Sequence, residues 1–174
     1  LSLIVSGGHT DLILMKSEND FEYLGQTLDD AIGEAYDKVA RILNLPYPGG
    51  PNVEKYALQG EPTYKMPQIL NDDSFNFSFS GIKSHINNVV HNERQRGNEI
   101  REYDIARSFQ DCVTSHLVDK TKKALLKYNL TLIEYINSKI IIVKDDIGYK
   151  YKINLSNLKN RNKFLKRKAR GISV

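Results

Sequence analysis

Hydrophobic and polar residues alternate at the start of the chain. Leu1, Leu3 and Val5 predict one short strand, and the apolar run at 12–14 predicts a second strand. Residues 6–10, Ser-Gly-Gly-His-Thr, separate these two runs and predict a hairpin turn. The first fourteen residues are therefore expected to form a β-hairpin.

Further along, the spacing of apolar residues changes to that of helices. Residues 28–43 predict a helix with Thr27 as N-cap, and residues 102–128 predict a long helix. Shorter helices are expected at 53–58 and from Ile82 onward, and strands at 21–25, 75–79, 140–143 and 149–153. Three prolines and two glycines at 46–51 predict an irregular loop.

Charge divides the chain into two parts. Residues 1–129 hold 14 Lys and Arg against 18 Asp and Glu, whereas residues 130–174 hold 11 against 3. This contrast predicts a main segment at 1–129 and a basic tail of different origin at 130–174. The tail suggests nucleic-acid contact through Tyr149, Tyr151 and the neighbouring lysines, but a solvated tail left by a gene fusion, insertion or truncation explains it equally well.

The remaining composition narrows the class of protein. Cys112 is the only cysteine, which excludes an internal disulfide and favours a reducing, cytoplasmic location. No apolar run approaches the roughly 18 residues of a membrane span, so no membrane association is expected. The chain begins directly in strand-like sequence without an initiator Met, and we therefore expect it to be a fragment.

The hairpin turn is a candidate ligand site. Gly7 and Gly8 permit positive φ and allow a charged ligand to approach their backbone amides, while Ser6 and Thr10 add hydroxyl groups. An ordinary Gly-Gly hairpin explains the same residues. The turn alone leaves both interpretations open.

Three carboxylates of the first predicted helix share one helix face. Asp30, Glu34 and Asp37 are spaced four and three residues apart. Such a face can bind a metal, hydrogen-bond a ribose, or lie in solvent with Lys38 as an ion-pair partner. The Pro-rich loop ending at Pro51 adds a stiff backbone surface that a ligand can approach closely.

Four blocks of sequence resemble one protein family. They are residues 5–10 (Val-Ser-Gly-Gly-His-Thr), 29–40, 47–51 (Tyr-Pro-Gly-Gly-Pro) and 77–83 (Phe-Ser-Phe-Ser-Gly-Ile-Lys). In this order they closely resemble the bacterial tRNA threonylcarbamoyladenosine transferases, formerly called glycoproteases. The similarity extends over about residues 1–129.

The resemblance implies a fold and an activity. It implies an α/β fold class, as a truncated part of an actin/Hsp70-like ATPase fold followed by the basic, hairpin-like tail. Members of the family transfer a threonylcarbamoyl group from its adenylate to an adenine next to the anticodon of tRNAs that read codons beginning with A. The expected partners are tRNA, a paralogous dimerising subunit and a small ATPase.

The resemblance also implies binding residues for threonylcarbamoyl-adenylate or an adenine nucleotide. The family's ligand-binding hairpin, ribose-contacting aspartate and glycine loop match, in turn, Ile4, Val5, Ser6, Gly7 and Gly8, then Asp37, then Gly50. A further ligand-contacting position, often Asp in the family, falls on Glu54.

The resemblance finally implies what this chain lacks. The family binds iron or another divalent metal through two histidines upstream of the hairpin and an aspartate near a later Gly-Gly-Val-x-x-Asn block. None of these matches this sequence, so we expect no metal site and no activity of the chain alone. Its catalytic residues are unknown at this stage, and a nucleic-acid-binding chimera or a non-functional gene remnant remains an alternative.

Overall fold

The computed structural model describes residues 1–17 and 19–129, and three later strands. Its strands are β1 (Ser2–Val5), β2 (Thr10–Ser17), β3 (Asp20–Gln26), β4 (Thr131–Ile136), β5 (Ile140–Lys144) and β6 (Lys150–Asn154). Its helices are α1 (Ile32–Ile42), α2 (Gly49–Ala57), α3 (Ser80–Gln95) and α4 (Glu102–Lys127). The predicted α/β class is confirmed.

The strands form one mixed sheet in the order β3-β2-β1-β6-β5-β4. The predicted hairpin is present, because β1 pairs antiparallel with β2, and β2 pairs antiparallel with β3. β6 lies parallel to β1, with Leu3 opposite Ile153, while β4, β5 and β6 form an antiparallel meander. The predicted strands at 140–143 and 149–153 correspond to β5 and β6.

One face of β1 and β2 supplies the core. Leu1, Leu3, Leu12 and Leu14 alternate with more exposed residues and pack with buried side chains of all four helices. The long helix α4 was predicted almost to the residue, and its apolar face is buried over most of its length. This packing fixes α1, α2 and α4 beside the end of β1.

The first helix begins later than predicted. Thr27 is not its N-cap, because α1 starts at Ile32 after Ala31. The amide of Thr27 donates to the carbonyl of Thr10, and the amide of Leu28 donates to the carbonyl of Phe77. Since these amides pair with other segments of the chain, the backbone at 27–28 is not free to continue a helix.

The Pro- and Gly-rich segment contains regular structure, contrary to prediction. Gly49, Gly50 and Pro51 form the first turn of α2, which follows Pro48 as N-cap. The first amides of a helix have no partner within the helix, so proline is compatible with this turn. α2 therefore begins four residues before the predicted helix at 53–58.

Two later predictions also need correction. Phe75, Phe77 and Phe79 are buried as their alternation suggests, but they form only a single bridge between Phe77 and Thr27 rather than a strand. The helix predicted from Ile82 onward begins two residues earlier, at Ser80, and ends at Gln95, shortly before Gly97 with φ +70.

Candidate functional site

The turn between β1 and β2 rests on the first turn of α1. The Thr10 hydroxyl accepts a hydrogen bond from the Ile32 amide (2.8 Å), and the Ser6 carbonyl accepts one from the Gly33 amide (3.0 Å). A Cβ on Gly33 would lie only 2.7 Å from the Gly7 Cα. The absence of a side chain at Gly33 is therefore what allows the turn and the helix to touch.

The turn also satisfies part of its own backbone. Ser6 Oγ accepts hydrogen bonds from the amides of Gly8 (3.2 Å) and His9 (3.0 Å). The Gly7 amide has no hydrogen-bond partner among the residues that the structure describes. Of the Gly7 and Gly8 amides, which were both expected to face a ligand, only the Gly7 amide is therefore available to donate a hydrogen bond to one.

The turn glycines do not use positive φ, which only Gly97 adopts among the described glycines. A Cβ added to Gly7 or Gly8 would meet no atom within 4 Å. Neither backbone conformation nor crowding inside the chain therefore requires glycine at these two positions. Their lack of side chains leaves the surface of the turn open.

Asp37 lies where α1 meets the start of α2. Its Oδ1 accepts a hydrogen bond from the Gly49 amide (2.7 Å), so the carboxylate lies at the N-terminus of α2. Negative charge is favoured there by the helix dipole. Asp37 Oδ2 has no hydrogen-bond partner among the described residues, which leaves one acceptor for a ligand.

A cavity of about 460 Å³ lies between the turn and helices α1, α2 and α4. The turn contributes Val5, Ser6 and Gly7, and α1 contributes Asp37. Gly50 and Glu54 of α2 line the same cavity. Cavities of this size are within the range that binds small molecules and cofactors.

The opposite wall of the cavity is mostly apolar. It includes Val113, Leu117 and Thr121 of α4, which follow the helical repeat along one face. Tyr36 lines the cavity as well, and its ring packs edge-on against Phe109 with centroids 4.8 Å apart. Burial raises the pKa of Tyr36 above its usual value, so its hydroxyl remains protonated and acts as a neutral polar group.

The structure brings together six of the eight residues predicted for the site. Ile4 and Gly8 are the exceptions, because neither lines the cavity. Ile4 pairs with Asp11 and is exposed, whereas its neighbour Leu3 is buried and lines the cavity. Successive side chains of a strand point to opposite faces, so the Ile4 side chain lies on the face of β1 away from the cavity.

The acidic face of α1 is divided between two roles. Lys38 Nζ binds both Asp30 (2.6 Å) and Glu34 (2.7 Å), which accounts for these two carboxylates as ion-pair partners. Asp37 instead faces α2. No group of three or more His, Cys, Asp or Glu side chains suited to a metal ion occurs among the described residues.

Sequence reasoning missed several residues that build the site. Thr10 was considered only as a hydroxyl donor to a ligand, whereas it accepts a hydrogen bond from α1 and is fully buried. Val113 and Leu117 lie on the apolar face of the helix predicted at 102–128, and their spacing does not show that they line a cavity, because a cavity wall and a core face have the same periodicity. Gly33, an isolated glycine within a helical pattern, was the signal of a close contact that could have been recognised.

Comparison with known proteins identifies the family of this chain. The sequence model of the family described as tRNA N6-adenosine threonylcarbamoyltransferase (TsaD) matches residues 1–141. The chain belongs to this family. Three curated relatives carry the same name: those of Listeria welshimeri (57% identical), Bacillus cereus (55%) and Halalkalibacterium halodurans (54%).

Each of these alignments covers 131 residues, which is 75% of this chain and 38% of the relative. The chain thus spans less than half the length of the curated relatives that it matches. Within the described residues, no helix is both long and apolar enough to span a membrane.

Proposed function

We propose that the cavity binds the adenylate part of threonylcarbamoyl-adenylate, or a related adenine nucleotide. On this proposal the chain contributes a binding site to threonylcarbamoyl transfer onto tRNA adenine. The observation that carries the proposal is the convergence on one cavity of Val5, Ser6, Gly7, Asp37, Gly50 and Glu54, which lie in three separate elements.

The chemistry of the cavity suits such a ligand. Asp37 Oδ2 can accept hydrogen bonds from ribose hydroxyls, and the Gly7 amide can donate to a phosphate oxygen. A Cβ on Gly50 would meet no protein atom within 4 Å, so the bare backbone leaves space for a flat base. The apolar α4 wall offers a surface for the ring system.

The proposed reaction is acyl transfer. The exocyclic nitrogen of the tRNA adenine attacks the carbonyl carbon of the threonylcarbamoyl group, the bond to the adenylate phosphate breaks, and the nitrogen loses a proton. The described residues would bind and orient the adenylate, which lowers the barrier by positioning the reacting atoms. Family resemblance implies iron or another divalent metal, but the described residues do not offer a matching ligand set, so no step is assigned to a metal.

The wider expectations belong to the same proposal. They are membership of an actin/Hsp70-like ATPase fold, binding of tRNA, a paralogous subunit and a small ATPase, and a cytoplasmic location. Fragment status, inactivity of the chain alone and the boundary between 1–129 and 130–174 stay predictions. The alternative of nucleic-acid binding rests on the basic tail at 130–174, with Tyr149, Tyr151 and the neighbouring lysines, and much of this tail lies outside the described residues.

The proposal is tested by calorimetric titration of the full chain with AMP. Asp37→Asn keeps an oxygen for the Gly49 amide but replaces the second acceptor by a donor. Loss of one hydrogen bond to a charged acceptor corresponds to about 1.5–3 kcal/mol, so AMP should bind about 10- to 150-fold more weakly. Glu34→Gln, an equal charge change on the same helix, should leave the affinity unchanged. Absence of AMP binding at millimolar concentration, or equal affinity for Asp37→Asn, would refute the proposal.

A further inference from the structure

The exposed face of α3 carries basic and amide side chains but no carboxylate. Lys83, Asn87, His91 and Arg94 are spaced by four, four and three residues, which places them on one face of the helix. We call these four residues the α3 stripe. All four are exposed, whereas Ile82, Ile86 and Val90 cover the core side of the helix. The stripe spans about 16 Å along the axis.

The charges of the α3 stripe are not neutralised by any residue that the structure describes. Neither Lys83 nor Arg94 forms an ion pair with any described residue, unlike Lys38, Arg107 and Lys120. No acidic residue occurs in the sequence between positions 73 and 93. In a segment whose net charge is −4, this face is a local excess of positive charge.

The two carboxylates that belong to α3 or contact its first turn are already engaged. Glu93 is partly buried and binds Arg96 (3.5 Å) and the side chain of Asn98 (2.9 Å). Asp29 lies at the first turn of α3, where it accepts hydrogen bonds from the Ser80 amide and hydroxyl. Both are held by other groups and form no ion pair with Lys83 or Arg94.

The α3 stripe begins at the same end of the fold as the cavity. Asp29 contacts the N-terminus of α3, and Ile32, three residues later, begins the helix that supports the turn at the cavity. Three residues span at most about 10 Å. The N-termini of α1 and α3 therefore lie close together, so the first residues of the α3 stripe lie within reach of an RNA strand whose adenine attacks the ligand in the cavity.

We propose that the α3 stripe contacts the phosphate backbone of the RNA whose adenine attacks the ligand held in the cavity. This rests on the proposed function. Unpaired Lys and Arg side chains bind phosphates by releasing counterions, and amide groups add hydrogen bonds without reading sequence. The stripe thus positions the RNA, and the cavity holds the adenylate with which the RNA reacts.

The test measures binding of a labelled, unmodified tRNA transcript to the full chain between about 50 and 200 mM salt. The double variant Lys83→Gln and Arg94→Gln removes two proposed phosphate contacts. The slope of log affinity against log salt should become shallower by about 1.4–1.8, and affinity at low salt should fall about tenfold or more.

The matched control is the double variant Lys16→Gln and Arg41→Gln. It removes the same charge, but at the end of β2 and the end of α1 that point away from the turn. Its salt slope should equal that of the unchanged chain. An equal effect of both double variants would show a general charge effect and overturn the proposal.

An unchanged slope for the stripe variant would also overturn the proposal, and it is the outcome expected if the basic tail at 130–174 carries all RNA binding. AMP titration of the same variant separates the two proposals. Normal AMP binding with an unchanged RNA slope refutes the stripe alone, whereas a reduced slope without AMP binding refutes the cavity alone.

Discussion

Alanine at Gly49 should weaken the folded state far more than alanine at the adjacent Gly50. A Cβ on Gly49 would lie 2.5 Å from the Asp37 Cα and 2.6 Å from its Oδ1. A Cβ on Gly50 would meet nothing within 4 Å. The two substitutions add the same methyl group to the same helix turn, so they differ mainly in what that group meets.

The size of the effect follows from these distances. Ordinary contact begins at 3.4 Å, so α1 and α2 must separate by roughly 1 Å to admit the methyl group on Gly49. Overpacking of this kind costs about 1–3 kcal/mol, and the weakened Asp37–Gly49 hydrogen bond adds about 1 kcal/mol. We expect a total loss of about 2–4 kcal/mol. Gly50→Ala should instead change stability by less than about 1 kcal/mol, in the stabilising direction.

Urea unfolding of the full chain, followed by circular dichroism at the helix band, measures both values. The free energy of unfolding should fall for Gly49→Ala and remain level or rise for Gly50→Ala. Equal stability of the two variants would show that α1 and α2 do not meet as closely as described. AMP titration of Gly50→Ala adds a functional measurement, because its methyl group enters the cavity without disturbing the fold.

Two further predictions concern stability. Asp29→Ala removes a carboxylate that accepts hydrogen bonds from the Ser78 hydroxyl (2.6 Å) and from the amide and hydroxyl of Ser80. It should lower the free energy of urea unfolding by about 0.5–2 kcal/mol. The control Asp119→Ala, which changes an exposed carboxylate, should lower it little. Burial lowers the pKa of His116 from 6.5 to about 4. Between these two pH values the unfolded chain binds a proton at this residue that the folded chain does not bind. The free energy of unfolding should therefore fall as the pH decreases from about 6.5 to about 4. His116→Leu should flatten this dependence in unfolding curves recorded at several pH values; an unchanged slope would contradict it.

Local patterns predicted the parts of the fold that local contacts determine. The alternation in β1 and the helical repeat of α4 were sufficient, because each element buries one face against the core. The start of α1 was misplaced because Thr27 and Leu28 hydrogen-bond to Thr10 and Phe77, which are distant in sequence. Hydrogen bonds between residues distant in sequence cannot be predicted from local helix or strand propensity.

The site shows the same limit. Asp37 and Gly50 were recognised through resemblance to a family, and the structure places both on the cavity. The cavity wall formed by α4 could not be recognised from the sequence, because Val113, which lines the cavity, and Phe109, which lies in the core, belong to one continuous apolar face of the helix. The distinction depends on the spacing between helices, which arises only when the whole domain packs.

The contact between Asp29 and the start of α3 has a consequence for the order of folding. The carboxylate that satisfies the first amides of this helix comes from a residue 50 positions earlier in the chain. α3 has no side-chain cap of its own, and its apolar side chains Ile82, Ile86 and Val90 are buried only when the core is present. Most of the stability of a helix in a protein comes from such tertiary packing. We therefore expect α3 to form late, after the hairpin and α1 have brought Asp29 into place, so its basic face becomes ordered only once the cavity beside it exists.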